Sequence, residues 1–302
     1  MTAVPPPGTR VSLRYRLPAG SVPPHTDVVG HVLGAAGDDT GVRVRTRRGD
    51  VVTIAAADVL AVRIVPEIPV RTGDIRNLEH AAALAWPGTE QHWLGGWFLR
   101  HGPATRRANS AVPLRFTSHS EIAAAARWYA ERDTPALISA PDRLFRIPAG
   151  VLTEAENLVM ATEVTDRLRT EEIAVSTRPD DRWLELYARE VPVDVLSAVI
   201  DGQVGFGSLA DAAVGRAAIT EAPDGTRWVG ISAVRVAESA RRRGLARTLC
   251  TGLLGWAAQR GATRAYVQVV DENASARRLY ESLGFGVHHR SRYVRAEDLL
   301  AP

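Results

Sequence analysis

Lysine is absent from the 302 residues of this chain, and all 37 of its basic side chains are arginine. A GC-rich genome, which favours arginine codons, accounts for this composition. The absence still has a chemical consequence. The chain has no side-chain amine, so any covalent chemistry on an amine must act on another molecule or on its own N-terminus. The formal net charge of +3 is too small to indicate nucleic-acid binding by itself.

Cysteine and long apolar runs are also scarce. Cys250 is the one cysteine, which excludes an internal disulfide framework and a cysteine-based zinc site and is typical of a reducing compartment. No apolar run approaches the roughly 18 residues that span a bilayer, and the first residues, MTAVPPPGTR, lack the apolar core of a signal peptide. We therefore expect a soluble, cytoplasmic protein without a metal site.

Residues 1–67 consist of short β-branched stretches separated by turn signals. Five of them follow one another: TRVSLRYRL, DVVGHVL, GVRVRTRRG, DVVTIAA and VLAVRIV. Their spacing predicts a small β-barrel of the SH3-like or Tudor-like kind, followed by a linker at PEIP. Appended barrels usually bind partners. This segment has eight arginines against six acidic residues, so a protein or a nucleic acid remains open.

Residues 68–180 alternate between helical and strand-like patterns. Apolar spacing predicts a helix over residues 74–86, and Ser118 and Glu121 have the spacing of a capping box before a second helix. The stretches HWLGGWFLRH, PALISAP and ENLVMATEV are typical of strands. This alternation predicts an α/β sheet rather than a second barrel. Trp93 and Trp97 are candidate walls of an acceptor pocket.

Residues 181–302 place a run of arginines between a strand and a helix. TRWVGISAVRV predicts a strand, and the apolar spacing after Gly244 predicts a helix that ends near Gly261. A helix N-terminus presents free amides and a positive dipole end, glycine lets a ligand approach the backbone, and arginines add charge-assisted hydrogen bonds. The stretch ESARRRGLARTL therefore predicts an anion site. Since GxxxxGK[ST] is absent, a triphosphate P-loop is not indicated.

Two motifs in this region identify a resemblance. The pattern R-x-x-G-x-A is present as Arg241, Gly244 and Ala246, and N-A-x-A-x-x-L-Y-E-x-L-G-F begins at Asn273, 29 residues after Gly244. Together they resemble the GCN5-related N-acetyltransferases, abbreviated GNAT. The resemblance implies a mixed central sheet flanked by helices, with acetyl-CoA as the cofactor. Residues 68–180 resemble the degenerate first half of a tandem acetyltransferase, and residues 181–302 its acetyl-CoA-binding domain, so we expect one cofactor site.

The resemblance also implies roles for individual residues. The backbone of Val234, Arg235 and Val236 would hydrogen-bond the pantetheine arm, which Asn273 would also contact. Tyr280 would stand near the thioester sulfur as the general acid. The pyrophosphate would be wrapped by the turn that contains Arg241, Arg242, Arg243, Gly244, Leu245, Ala246 and Arg247. Direct attack of an amine on a thioester needs no enzyme nucleophile, so Cys250 has no predicted role.

One position departs from the family pattern. Many relatives that modify protein N-termini have a glutamate base five residues before the asparagine, where this chain has Gln268. The base must come from elsewhere or act through water, and its candidates are Glu238, Asp271, Glu272, Glu90 and Glu185. Three functions stay open: an acetyltransferase for a small-molecule amine, an acetyltransferase for a protein lysine or N-terminus recruited by the barrel, and a non-enzymatic acetyl-CoA-binding regulator.

Overall fold

The computed structural model describes residues 5–36, 41–46, 50–65, 70–164 and 173–300. The chain divides into two compact units, residues 1–69 and residues 70–302. The division lies close to the predicted linker. The finer boundaries at residues 67 and 180 stay predictions.

The first unit is a five-stranded antiparallel sheet in the order β4-β3-β2-β1-β5. Its strands are β1 (Arg10–Arg16), β2 (His25–Ala36), β3 (Gly41–Thr46), β4 (Val51–Ala55) and β5 (Val59–Ile64). Alternation sets the face that each side chain takes, as β3 shows: Val42 and Val44 are buried while Arg43 between them is exposed. The buried members of all these alternations form one small apolar core.

The second unit combines helices with an eight-stranded sheet and a three-stranded sheet. Its helices are α1 (Thr72–Ala85), α2 (Ile122–Ala130), α3 (Asp181–Tyr187), α4 (Val193–Ser197), α5 (Leu245–Ala258), α6 (Ala274–Ser282) and α7 (Ala296–Leu300). The small sheet is formed by β6 (Glu90–Leu94), β7 (Trp97–His101) and β8 (Val112–Pro113). The large sheet is formed by β9 (Leu137–Pro141), β10 (Ala155–Glu163), β11 (Ala174–Ser176), β12 (Gln203–Leu209), β13 (Ala213–Glu221), β14 (Arg227–Val236), β15 (Arg264–Val270) and β16 (Gly286–Arg295).

The large sheet has the order β11-β12-β13-β14-β15-β10-β16-β9. Neighbouring strands are antiparallel except β14 and β15, which are parallel. β10 comes from the earlier part of the chain and is inserted between β15 and β16, and β9 forms the edge beyond β16. The predicted first half therefore supplies strands to the same sheet as the second half.

Helices cover both faces of this sheet. Leu249 and Leu253 of α5 pack on the face that carries Val229 of β14 and Val267 of β15. On the other face, Leu78 and Ala82 of α1 pack against Trp228 and Tyr266. Because successive strand residues point to opposite faces, β13, β14 and β15 are largely buried on both sides. The predicted helices and strands around residues 74–141 are present, and the capping box forms as predicted, with the Ser118 amide donating to Glu121 Oε2 at 3.1 Å.

Candidate functional site

β14 and β15 separate partway along the sheet. Their parallel ladder pairs residues 228–230 with residues 264–266 and goes no further, whereas β14 continues to pair with β13 as far as Val236. The β14 edge from Ile231 onward therefore faces an opening instead of a neighbouring strand. This opening belongs to a cleft of about 690 Å³, lined by residues 231–235 of β14, 268–270 of β15 and side chains of α6.

A β-bulge lies where β14 leaves β15. The register between β13 and β14 shifts between Val214 and Arg216, and Ala233 has φ +54°, in the left-handed region. Alanine rarely adopts this conformation, and bulges of this kind change the direction of the strand and of its backbone groups. The bulged residues 233–235 line the cleft. The sequence gives no signal for it, because no glycine marks the position.

The turn before α5 leads into backbone N–H groups that no side chain caps. Gly244 is the N-cap residue with φ +81°, and no side chain caps the first turn of the helix. An α-helix leaves its first N–H groups without the usual intrahelical partners. Here the Arg247 amide donates to the Gly244 carbonyl, and the amides of Leu245 and Ala246 directly follow the exposed turn of residues 241–244. Arg242 also has a positive φ, of 61°. The turn for which the sequence predicts an anion site is thus an uncapped helix N-terminus that follows residues with positive φ, and anion binding there stays a prediction.

Two arginines of this turn, Arg241 and Arg247, have partners within the protein. Arg241 forms an ion pair with Glu238 at 3.1 Å. The guanidinium of Arg247 donates to the Oγ of Ser282 at 2.8 Å and to its carbonyl at 3.1 Å, and the Arg247 amide donates to the Gly244 carbonyl at 2.9 Å. Arg247 therefore connects α5 to the end of α6. Arg242, Arg243 and the first amides of α5 are better placed for an anion.

Asn273 has a local structural role. It is the N-cap residue of α6, and its Oδ1 accepts a hydrogen bond from the Ala276 amide at 3.0 Å. It also lines the cleft, together with Ala276 and Tyr280 of the same helix. The structure thus brings Asn273, Tyr280 and residues 231–235 of β14 into one cleft, and the roles that the resemblance implies for them stay predictions.

Tyr280 is buried at the cleft wall, 7% exposed, with its ring 5.6 Å from that of Phe285. Its hydroxyl makes no hydrogen bond to any residue that the structure describes. Burial raises the pKa of Tyr280, the nearby Cys250 thiol adds to this effect, and Arg107 opposes it. Tyr280 therefore stays protonated at neutral pH. Burial likewise raises the pKa of Cys250 to about 12, so this thiol is not a nucleophile.

None of the candidate carboxylate bases lines the cleft. Glu238 pairs with Arg241 at 3.1 Å, Asp271 binds Arg290 at 2.8 Å, and Glu90 binds Arg132 at 2.9 Å. Glu185 and Glu272 are exposed elsewhere. Within the described residues, the cleft wall contains no aspartate, glutamate or histidine. Gln268 lies in the wall, so the departure from the family pattern is not compensated by a neighbouring acid.

The remaining wall comes from parts of the chain that sequence reasoning did not assign to the site. It is formed by the C-terminal end of α1, the loop between β7 and β8, the strands β9, β10 and β16, and α3 with the segment after it; the larger side chains are Trp86, Arg106, Arg107, Asn109, Asn157, Tyr187, Arg189 and Tyr293. Trp93 and Trp97 do not line the cleft: Trp97 is buried in the core beneath α2, and Trp93 is 37% exposed. The expectation that they wall the pocket is wrong. No periodicity marks loop residues, so the sequence carried no signal for Arg107.

Acetyl-CoA, which the resemblance implies, fits the groups that are present. The Ser232 hydroxyl is shielded from water and has no hydrogen-bond partner among the described residues, although Ser232 lines the cleft. The edge of β14 from Ile231 onward has no partner strand on the β15 side. An amide-containing arm could satisfy such an edge in the way an added strand does. Its phosphates could bind the uncapped turn before α5.

Comparisons with known proteins agree with this architecture. A family model described as "Probable histone acetyltransferase Rv0428c C-terminal" matches residues 72–294, and one described as "Rv0428c N-terminal Sm-like domain" matches residues 5–63. The chain belongs to the Rv0428c family. A curated relative from Mycobacterium tuberculosis, named "Probable histone acetyltransferase Rv0428c", is 48% identical over 295 residues, which cover 97% of this chain and 96% of the relative.

A solved structure confirms the fold. The GCN5-related N-acetyltransferase from Kribbella flavida superposes with a TM-score of 0.54 at 17% identity, over 74% of this chain and 96% of that one. The predicted fold class, a mixed α/β GNAT fold with a small N-terminal all-β domain, is confirmed, and so is the enzyme class, an acyltransferase. The small barrel is also confirmed, but the family model makes it Sm-like instead of SH3-like. The tandem relationship of the two halves stays a prediction.

No helix in the described parts of the chain is long and apolar enough to cross a membrane. The cytoplasmic location stays a prediction, and so does a nucleic-acid partner for the barrel.

Proposed function

We propose that this member of the Rv0428c family transfers the acetyl group of acetyl-CoA to a primary amine bound in the cleft. One observation carries the proposal: the edge of β14 beyond its pairing with β15 is open on the cleft that Tyr280 lines, and the same strand continues in the chain to the uncapped N-terminus of α5. A strand edge, an anion-binding turn and a proton donor are the three groups that the reaction requires.

The cofactor would lie along β14. The backbone of Val234, Arg235 and Val236 would pair with the pantetheine arm, and Asn273 would flank it from the start of α6. The amides from Arg242 to Ala246 would bind the pyrophosphate, with Arg241 and Arg247 holding the turn against Glu238 and Ser282. Arg241 and Arg247 would then act indirectly, by stabilising the conformation of the turn that binds the pyrophosphate.

Acetyl-CoA supplies an acetyl group activated as a thioester. A backbone N–H at the bulge around Ala233 would stabilise the carbonyl oxygen as it gains charge. Tyr280 would give its proton to the departing sulfur and regain one from solvent. Burial keeps Tyr280 protonated until then, and the positive field of Arg107 eases the loss of that proton.

The acceptor amine must lose a proton before it attacks. The described cleft wall offers no carboxylate or histidine for this purpose, so we propose that bound water carries the proton to solvent. The Mycobacterium tuberculosis relative is named a probable histone acetyltransferase, which favours a protein acceptor. The aromatic side chains of the cleft suit a small-molecule acceptor. We do not favour the non-enzymatic regulator, since the enzyme class follows from the family.

Calorimetric titration of acetyl-CoA tests the proposal. Gly244→Glu would put negative charge where the pyrophosphate should lie, so affinity should fall tenfold or more, about 1.4 kcal/mol. Gly225→Glu is a matched control. Gly225 also has a left-handed φ, +80° against +81°, and open space where a Cβ would lie, but it belongs to the turn between β13 and β14. Equal loss in both variants, or no binding by the wild type, would overturn the proposal.

A further inference from the structure

The charged side chains of the cleft are all of one sign. Arg106, Arg107, Arg189 and Arg235 line it, and no acidic side chain does so within the described residues. An enzyme that accepts polyamines or lysine-rich segments should attract cations with acidic groups. The arginines of this cleft instead repel cations and attract anions.

Arg107 is the arginine whose charge acts on Tyr280. Its Nη2 donates to the carbonyl of Gln268 at 3.5 Å, and its Cζ lies 5.7 Å from the centre of the Trp86 ring. Burial raises the pKa of both Tyr280 and Tyr293, and the positive charge of Arg107 partly opposes this rise. Arg107 thus lies in the cleft wall beside Gln268, the position at which many relatives have a glutamate base.

Arg107 has no acidic partner in the described part of the chain, whereas its neighbour does. Arg106 pairs with Glu154 at 3.2 Å and is half exposed. The Arg107 guanidinium is partly buried, and the hydrogen bond to Gln268 is near the upper distance limit. It therefore has donors to offer to a ligand. Both arginines belong to the loop between β7 and β8, in the part of the chain that has no cofactor motif of its own.

We infer that Arg107 binds an anionic group of the acceptor, so that the acceptor is a small molecule carrying a primary amine together with a carboxylate or a phosphate. The inference rests on the proposed acetyl transfer and names its substrate class. A guanidinium binds either anion through two parallel hydrogen bonds. The same positive charge lowers the pKa of a nearby ammonium group, which favours the neutral, attacking amine in a cleft without an acidic base.

Matched pairs of amines test this assignment. The first set compares L-amino acids with their amides, and the second compares O-phosphoethanolamine with ethanolamine; a lysine-rich peptide is the cationic probe. Release of the CoA thiol gives kcat/KM, and a thiol reagent reports it cleanly because the only cysteine, Cys250, is fully buried. We expect at least one anionic member to exceed its neutral counterpart at least tenfold. The set in which this occurs distinguishes a carboxylate from a phosphate.

Three variants assign the effect to Arg107. Arg107→Gln should remove the preference for the anionic member, Arg107→Lys should restore part of it, and Arg106→Gln should leave most of it. The dissociation constant of acetyl-CoA, measured by calorimetry, should be unchanged in all three. Thermal unfolding of each variant separates this effect from loss of structure.

The outcomes distinguish a wrong substrate class from a wrong enzymatic activity. If acetyl-CoA binds and the neutral amines or the lysine-rich peptide are acetylated best, the substrate class is wrong and the acetyltransferase stands. If no anionic probe is acetylated or binds to the CoA-loaded protein, the inference is overturned in the same way. A weaker acetyl-CoA affinity in Arg107→Gln with the preference intact would reassign Arg107 to the cofactor. Absence of acetyl-CoA binding in the wild type would overturn the proposed function itself.

Discussion

Gly230 and Tyr266 form the last pair of the parallel ladder between β14 and β15, and the tyrosine ring occupies the space above the glycine. A Cβ at position 230 would lie 2.3 Å from Tyr266 Oη and 2.4 Å from its Cζ. Tyr266 is buried against α1, so its ring has little room to move. The two strands separate directly after this contact, so the pair marks the point where the cleft begins.

Gly230→Ala should therefore destabilise the second unit. Adding a methyl group to a filled core costs about 1–3 kcal/mol, which should lower the Tm by several degrees, at about 2–4 °C per kcal/mol for a unit of this size. Calorimetric unfolding measures the change. Gly286→Ala is the control, because a Cβ there meets nothing within 4 Å. Equal Tm values for the two variants would show that the ring can move aside at little cost.

The fold of this protein was predictable where residue patterns are local. The arginine-glycine turn, the strand before it and the helix after it follow from β-branched runs, helical spacing and one glycine in the left-handed region. The capping box at Ser118 was equally predictable, because it is defined by two residues three positions apart.

The strand β13, inside the large sheet, was not predictable in this way. β13 reads AVGRAAITE, in which small residues and a central arginine replace the usual β-branched pattern. Arg216 is fully buried, yet its guanidinium donates to the carbonyls of Leu196 at 2.7 Å and Ala85 at 2.8 Å. These partners lie 20 and 131 residues away in sequence. Only the folded chain shows that an arginine in a strand connects two helix ends.

The acceptor side of the cleft was not predictable from the sequence, for a similar reason. Arg107 lies in a loop without periodicity, and its closeness to Gln268 spans 161 residues of sequence. The motifs predicted the cofactor side, which is made of adjacent residues, and could not predict a wall assembled from distant ones.

Tyr280→Phe should separate catalysis from binding. If Tyr280 is the proton donor, kcat should fall by a factor of about 10² or more, since general acid catalysis contributes about 10²–10⁴. The acetyl-CoA dissociation constant and the Tm should stay close to the wild-type values, because the hydroxyl makes no hydrogen bond to the described residues. Steady-state kinetics with calorimetry measures both.

Tyr293→Phe provides the comparison for this variant. Tyr293 is also a buried tyrosine in the cleft wall, 8% exposed against 7% for Tyr280. The resemblance gives it no role in proton transfer, so its loss should change kcat far less. A kcat in Tyr280→Phe that matches the wild type would remove Tyr280 from the reaction and leave solvent as the proton source.

The burial of His288 leads us to predict that the free energy of unfolding depends on pH. The Nδ1 atoms of His288 and His289 are 2.8 Å apart, and His289 Nε2 lies 2.8 Å from Glu79 Oε1 on α1. His289 is buried, and neither histidine lines the cleft. Burial, followed by the charge of His289, lowers the pKa of His288 to about 3.

In the unfolded chain this imidazole has a pKa of about 6.5. Between these two values the unfolded state binds a proton that the folded state excludes, so stability is present in full above pH ~6.5 and declines as the pH falls below it, by at most about 1.4 kcal/mol per pH unit. His288→Asn keeps a polar atom near the Nδ1 position and removes the titration. Its free energy of unfolding, obtained from denaturant titrations at pH 7, 6 and 5, should decline less steeply than that of the wild type. Parallel declines would mean that His288 accepts a proton in the folded protein, and that its contact with His289 rearranges to allow this.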